Sequence, residues 1–79
     1  MDIENKILTI AKLYTKTPNV SMISEIKEDL KMDSLSLTEF LIALEDEFNI
    51  EIDIDDPAID DVKSLRDIWI VVTKIIDSN

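Results

Sequence analysis

Asp33-Ser34-Leu35-Ser36-Leu37-Thr38-Glu39-Phe40-Leu41-Ile42-Ala43-Leu44-Glu45-Asp46-Glu47-Phe48 is the stretch that decides the fold. Leu37, Phe40, Leu41, Leu44 and Phe48 recur at helical spacing and make one apolar stripe, which predicts a helix from about Ser34 to Phe48. Glu39, Asp46 and Glu47 lie away from that stripe. Leu35 and Ile42 fall outside its centre, so they read either as the edge of a core or as partly exposed contact points. Ser34 stands at the start of the helix, where free backbone N–H groups and the helix dipole favour an attached phosphate. Most serines at this position only cap the helix, a role worth about 0.5–2 kcal/mol. The neighbouring segments have to separate the two readings.

Upstream, Asp2 is suited to cap a first helix that carries Ile3, Ile7, Ile10, Ala11 and Tyr14 on one face. Thr17-Pro18-Asn19 is expected to end it, because a residue before proline avoids the α region. Residues 17–32 then form a long connection with a helical turn near Ser24–Leu30, tied down by Met22, Ile26, Leu30 and Met32. Downstream, Phe48–Ile54 alternates apolar and polar residues as a strand would. A lone strand has no ladder to join, so an extended loop is expected. Asp56-Pro57 opens a short third helix with Ile59 and Val62. Ser64 and Asp67 form a capping-box pattern before a fourth helix that buries Leu65, Ile68, Trp69, Val72, Ile75 and Ile76. There, packing has to override the poor helix propensity of Ile70-Val71-Val72.

Composition narrows the function. Residues 1–79 make one small domain, and a chain of this size buries only roughly 60% of its unfolded surface. There is no cysteine and no histidine, which removes disulfides, thiolate metal sites and the commonest general base. Catalysis by this chain alone is not expected, and no catalytic residue or metal ligand set is assigned. Asp53, Asp55, Asp56, Asp60 and Asp61 do not make a calcium loop, since the chain has no glycine and Ser64 falls where the bidentate Glu belongs. Loose divalent binding is all they offer. Met1-Asp2-Ile3-Glu4 lacks the features of a signal peptide, and no apolar run approaches the ~20 residues of a membrane span. A cytoplasmic protein without membrane insertion is expected.

The net charge of −10 is unevenly placed. Residues 1–32 balance five acids with five lysines, whereas residues 33–67 hold twelve acids against Lys63 and Arg66. The excess therefore begins at Asp33-Ser34-Leu35. Such a field repels nucleic acid and steers basic protein surfaces toward the serine. Its bland alternative is a solvated face that only aids solubility.

Glu28-Asp29-Leu30-Lys31-Met32-Asp33-Ser34-Leu35, followed by the acidic helix through Phe48, resembles the acyl carrier proteins. Bacterial members read roughly Glu-Asp-Leu-Gly-x-Asp-Ser-Leu before a Glu-Leu-x-x-x-Leu-Glu-x-x-Phe helix. The resemblance implies an all-α four-helix bundle with a short third helix and a long loop between helices one and two. It implies that Ser34 carries 4′-phosphopantetheine, added from coenzyme A by a separate magnesium-dependent transferase, with Asp33 and Leu35 presenting the serine. The cofactor's thiol holds acyl groups as thioesters, so a chain without cysteine can serve thiol chemistry. Partners implied are that phosphopantetheinyl transferase and acyl-transferring, condensing and modifying enzymes with basic docking surfaces, met by a monomer. Leu35, Glu39, Ile42, Glu45, Asp46 and Glu47 are the implied docking residues. Met32, Phe40, Leu44, Ile52, Ile59 and Trp69 are the implied core that shelters the acyl chain.

Three departures stand out. The family's glycine is Lys31, which puts a cation near the expected phosphate; an acidic residue after the Leu is Ser36; and a Val or similar residue is Thr38. They keep open a second reading within the class, a discrete carrier for a polyketide or nonribosomal-peptide type of pathway beside fatty-acid synthesis. The rival outside the class is an acidic helical adaptor that packs a helix face on its partner without a covalent cofactor.

Overall fold

The computed structural model describes residues 2–78 and places in them α1 (Ile3–Ala11), α2 (Ser34–Phe48), α3 (Pro57–Asp60) and α4 (Leu65–Ser78). The described residues form no strand; an isolated bridge joins Glu25 to Ser64. α1 packs against both α2 and α4, and α3 lies on α4. The core is one cluster in which Ile7, Phe40, Leu44, Leu65 and Val72 have no exposed surface. Among the described residues no helix is long and apolar enough to cross a membrane.

Local chemistry explains each boundary. Asp2 caps α1 by accepting the Asn5 N–H at 3.1 Å. The helix ends at Ala11, earlier than the proline at 18 leads one to expect. Leu13 and Tyr14 donate to Ile10 and Ala11 in tighter i to i−3 bonds. Leu13 has nothing to bury against and stays exposed, while Tyr14 tilts onto Phe40 with ring centroids 6.3 Å apart. The chain is then drawn across the bundle, where the Thr15 and Thr17 hydroxyls donate to the Leu30 and Asp29 carbonyls at 2.7 and 3.0 Å.

The long connection is fastened as its apolar residues require. Ile26, Leu30 and Met32 are buried and Met22 is half-buried. The expected helical turn is present, with the Asp29 and Leu30 N–H groups both donating to the Glu25 carbonyl. The Leu65 and Arg66 N–H groups in the first turn of α4 would otherwise lack partners; they donate to the Ser24 and Met22 carbonyls. The capping box forms as read. Ser64 N–H donates to Asp67 Oδ2 at 3.2 Å, and Asp67 N–H donates to Ser64 Oγ at 3.3 Å. Burial of Ile68 and Val72 holds the β-branched run of α4 helical.

The Asp67 carboxylate also accepts the Lys63 N–H at 3.0 Å. That bond first, then the Ser64 N–H, holds its carboxyl below the ordinary value of 3.8. Because the folded value is the lower one, its stabilisation is complete above about 3.8 and is lost as pH falls through the folded value. Asp67→Ala should therefore melt below the wild type at neutral pH, with a gap that closes in acid. A gap that stays constant down to the acid limit of folding would remove the carboxylate from this account.

Lys31 sits at φ 56, in the left-handed region, where a Cβ costs about 1–2 kcal/mol. Here the family pattern has glycine, and the structure supplies the reason. Part of the cost is offset because glycine loses about 0.4–1 kcal/mol more entropy on folding. Lys31→Gly is expected to gain roughly 0.5–1 kcal/mol and to raise the thermal midpoint by a few degrees. A lower midpoint for the glycine variant would show that Lys31 contributes contacts that outweigh its backbone cost.

The charge imbalance is only partly offset in space. Lys6 of α1 reaches Glu47 of α2 at 3.3 Å and lies 5.9 Å from the centre of the Phe48 ring. No other ion pair forms among the described residues, and no three carboxylates gather at metal-binding spacing there. Raising ionic strength, or adding millimolar magnesium, should raise the melting temperature by screening and loose counterion association. A midpoint indifferent to salt between low and physiological strength would contradict this.

Candidate functional site

The cap of α2 is Asp33, not Ser34. Asp33 is extended, and its Oδ1 accepts the Ser36 N–H at 2.8 Å. Ser34 is the first residue inside the helix, so its hydroxyl is spared the capping role. The Ser34 carbonyl accepts the Thr38 hydroxyl at 2.8 Å, while no hydrogen bond from Ser34 Oγ forms among the described residues. Ser34 is exposed, at a helix start where an added phosphate meets free N–H groups and the favourable end of the dipole. The Ser36 N–H, then the Ser36 hydroxyl, hold the Asp33 carboxyl below the ordinary aspartate value. It stays ionised and committed to the turn at neutral pH.

A hollow of about 220 Å³ adjoins Ser34, walled on its apolar side by Leu37, Leu41, Ile54, Ile59 and Val62 and on its polar side by Lys27, Asp33, Thr38 and Asp60. An exposed hydroxyl without a competing bond, beside an apolar-walled hollow, fits a phosphopantetheine ester: Ser34 would hold the phosphate and the helix N–H groups would face it. When bound, that group supplies the thiol that this chain lacks.

The residues expected to shelter an acyl chain separate into two sets. Met32, Phe40, Leu44, Ile52 and Ile59 are buried, as expected. Trp69 is not interior; it is a half-buried residue packed against the rim of the core, because its turn of α4 points inward through Ile68 and Val72. Only Ile59 of these six reaches the wall of the hollow at Ser34, and Ile52 joins it in a second hollow between α3 and α4. Leu37, Leu41, Ile54 and Val62 on the Ser34 wall were not in the expected set, since periodicity reports burial and not which buried faces border a void.

The residues expected to meet partners also divide. Leu35, Glu39, Ile42 and Asp46 follow one another at steps of four, three and four, which places them on a single face of α2. All four are exposed, with Leu35 at 67% and Ile42 at 47%, so these two are not buried core edge. Glu45 is engaged within the fold. Its Oε2 accepts the Ile52 N–H at 2.8 Å and ties the extended 49–56 loop over the core. Glu47 flanks the face and is engaged by Lys6. The acidic run thus contains both engaged and free carboxylates, which the sequence does not distinguish.

Comparison with known proteins agrees with this geometry. A family model described as a phosphopantetheine attachment site matches residues 5–69. An acyl carrier protein of Nitratidesulfovibrio vulgaris (strain DSM 19637 / Miyazaki F) is 45% identical over 58 residues, covering 71% of this chain and 76% of the relative. Acyl carrier protein 3, mitochondrial, of Arabidopsis thaliana is 42% identical over 51 residues, which is 61% of this chain and 38% of that one. The crystal structure of an acyl carrier protein from Thermotoga maritima superposes with a TM-score of 0.74 at 26% identity, covering 94% of this chain and 86% of the other. With a serine presented at the start of an acidic helix, a void beside it and a family match across most of its length, the chain belongs to the phosphopantetheine-bearing acyl carrier proteins, which are carriers and not catalysts.

Proposed function

We propose that Ser34 is the attachment point of 4′-phosphopantetheine, and that the loaded chain holds acyl intermediates as thioesters and presents them to enzymes of fatty-acid or related acyl biosynthesis. The observation that carries this reading is the Ser34 hydroxyl itself, exposed, uncommitted and placed at the head of α2 by a neighbouring residue that does the capping. Asp33 holds the turn, and Leu35 stands beside the hydroxyl as the first exposed apolar contact on the docking face. Leu35, Glu39, Ile42 and Asp46 form the surface on which a transferase or an acyl-handling enzyme with a basic rim settles, while Glu47 lies at its margin. The chain acts as a monomer in the cytoplasm in this reading, with the wall of Leu37, Leu41, Ile54, Ile59 and Val62 receiving the first part of the cargo.

The test is intact mass after incubation with coenzyme A, magnesium and a phosphopantetheinyl transferase. One phosphopantetheine should be added and should map to the peptide containing Ser34. A chain that binds the transferase and takes no addition would instead be the cofactor-free adaptor.

A further inference from the structure

The hollow beside Ser34 continues into a second one of about 360 Å³, because both are walled by Lys27, Leu37, Asp60 and Val62. Together they make one groove that starts at Ser34 and ends by Glu25, Ile26 and Lys63. Its part at Ser34 holds two acids, Asp33 and Asp60, and one cation, Lys27. Lys31, three residues from Ser34 in the chain, does not wall either hollow. Lys27 belongs to the Glu25–Leu30 turn, whose neighbours Ile26 and Leu30 are buried and whose Ile26 N–H donates to the Lys63 carbonyl at 2.7 Å. Its backbone is therefore fixed by the core, whereas its ammonium has no ion-pair partner among the described residues.

A phosphodiester on Ser34 would place a permanent negative charge in a hollow that already holds two carboxylates. One of these, Asp33, is committed to the Ser36 N–H. A protein cation would offset that charge beyond what solvent and the helix N–H groups supply, and Lys27 is the cation that shares the hollow.

We propose that Lys27 is a positioning residue for the prosthetic arm. Its ammonium pairs with the phosphodiester on Ser34 and lays the start of the arm along the Leu37–Val62 floor of the groove. This rests on Ser34 being the attachment point. It replaces Lys31, the cation that chain proximity suggests, with one brought from the far side of the turn by packing.

The experiment uses the loaded protein, its loading at Ser34 verified by mass. The side-chain carbon resonances of Lys27 are followed by NMR before and after loading, together with the phosphorus resonance. Loading should shift the Lys27 side-chain resonances at low salt, an effect that disappears at about 0.5 M salt. The phosphorus resonance should respond to salt in the wild type and in Lys27→Arg, respond much less in Lys27→Gln, and be unchanged by Lys31→Gln. A loaded chain whose Lys27 resonances are unmoved, or whose phosphorus signal changes with Lys31→Gln instead, overturns the assignment while leaving Ser34 as the attachment point. A chain that takes no arm at Ser34 overturns both.

Discussion

Ser34→Ala is expected to take no phosphopantetheine under conditions that load the wild type to completion, and to fold as well as the wild type. The loss is total because the reaction needs an oxygen nucleophile at that position and alanine has none. The small effect on folding follows from the cap: the N–H of Ser36 is satisfied by Asp33, and the Ser34 hydroxyl makes no bond that the fold uses. An exposed substitution of this kind stays within about 0.5 kcal/mol. Asp33→Ala is the informative neighbour, since it retains the nucleophile and removes the cap. It should load more slowly and melt earlier. Intact mass and a melting curve on the two variants separate the chemistry of the site from its scaffolding. Full loading of Ser34→Ala would sink the carrier assignment of this residue.

Reversing the charge at Glu39 and Asp46 together, Glu39→Lys with Asp46→Lys, should lower kcat/KM for a partner enzyme by roughly 10–100-fold at low salt while leaving the fold intact. Both side chains are exposed on the face that also carries Leu35 and Ile42, and neither makes a hydrogen bond or ion pair among the described residues. Charges at the rim of an interface act mainly on the rate of encounter. The defect should therefore shrink as salt approaches physiological strength, where the Debye length is about 8 Å. Glu4→Lys, an exposed reversal in the first turn of α1, is the control. Equal losses from the control and from the paired reversal would mean that bulk charge, not an oriented face, governs recognition. Glu45→Lys is a poor probe of docking, because it breaks the tether to Ile52 and its effects would mix stability with binding.

Much of the architecture was legible in the chain because it rests on interactions between near neighbours. The stripe Leu37, Phe40, Leu41, Leu44 and Phe48 specifies α2, the pair Ser64 and Asp67 specifies the start of α4, and Asp56-Pro57 specifies α3, each within one or two turns of helix. The Asp-Ser-Leu element and its acidic surroundings likewise single out Ser34, since the motif lies in residue types and their order. The division of labour between Asp33 and Ser34 was not legible: both are good caps, and only the extended backbone at Asp33 selects between them. The end of α1 was not legible either, because it is set by Tyr14 meeting Phe40 and by Thr15 and Thr17 meeting carbonyls across the long connection.

Within a single acidic run, Glu45 turned to the Ile52 N–H, Asp46 turned to solvent and Glu47 met Lys6. Nothing in three consecutive carboxylates distinguishes them, since their partners lie in a loop and in a helix remote in the chain. The starts of α3 and α4, the stripe of α2, the charge field and the motif around Ser34 depend on local order and are read from the chain alone. The tertiary structure alone decided which residues border the void at Ser34 and that Lys27, not Lys31, shares it. Voids and counter-charges belong to the space between elements, and that space exists only once the buried residues of the long connection have packed.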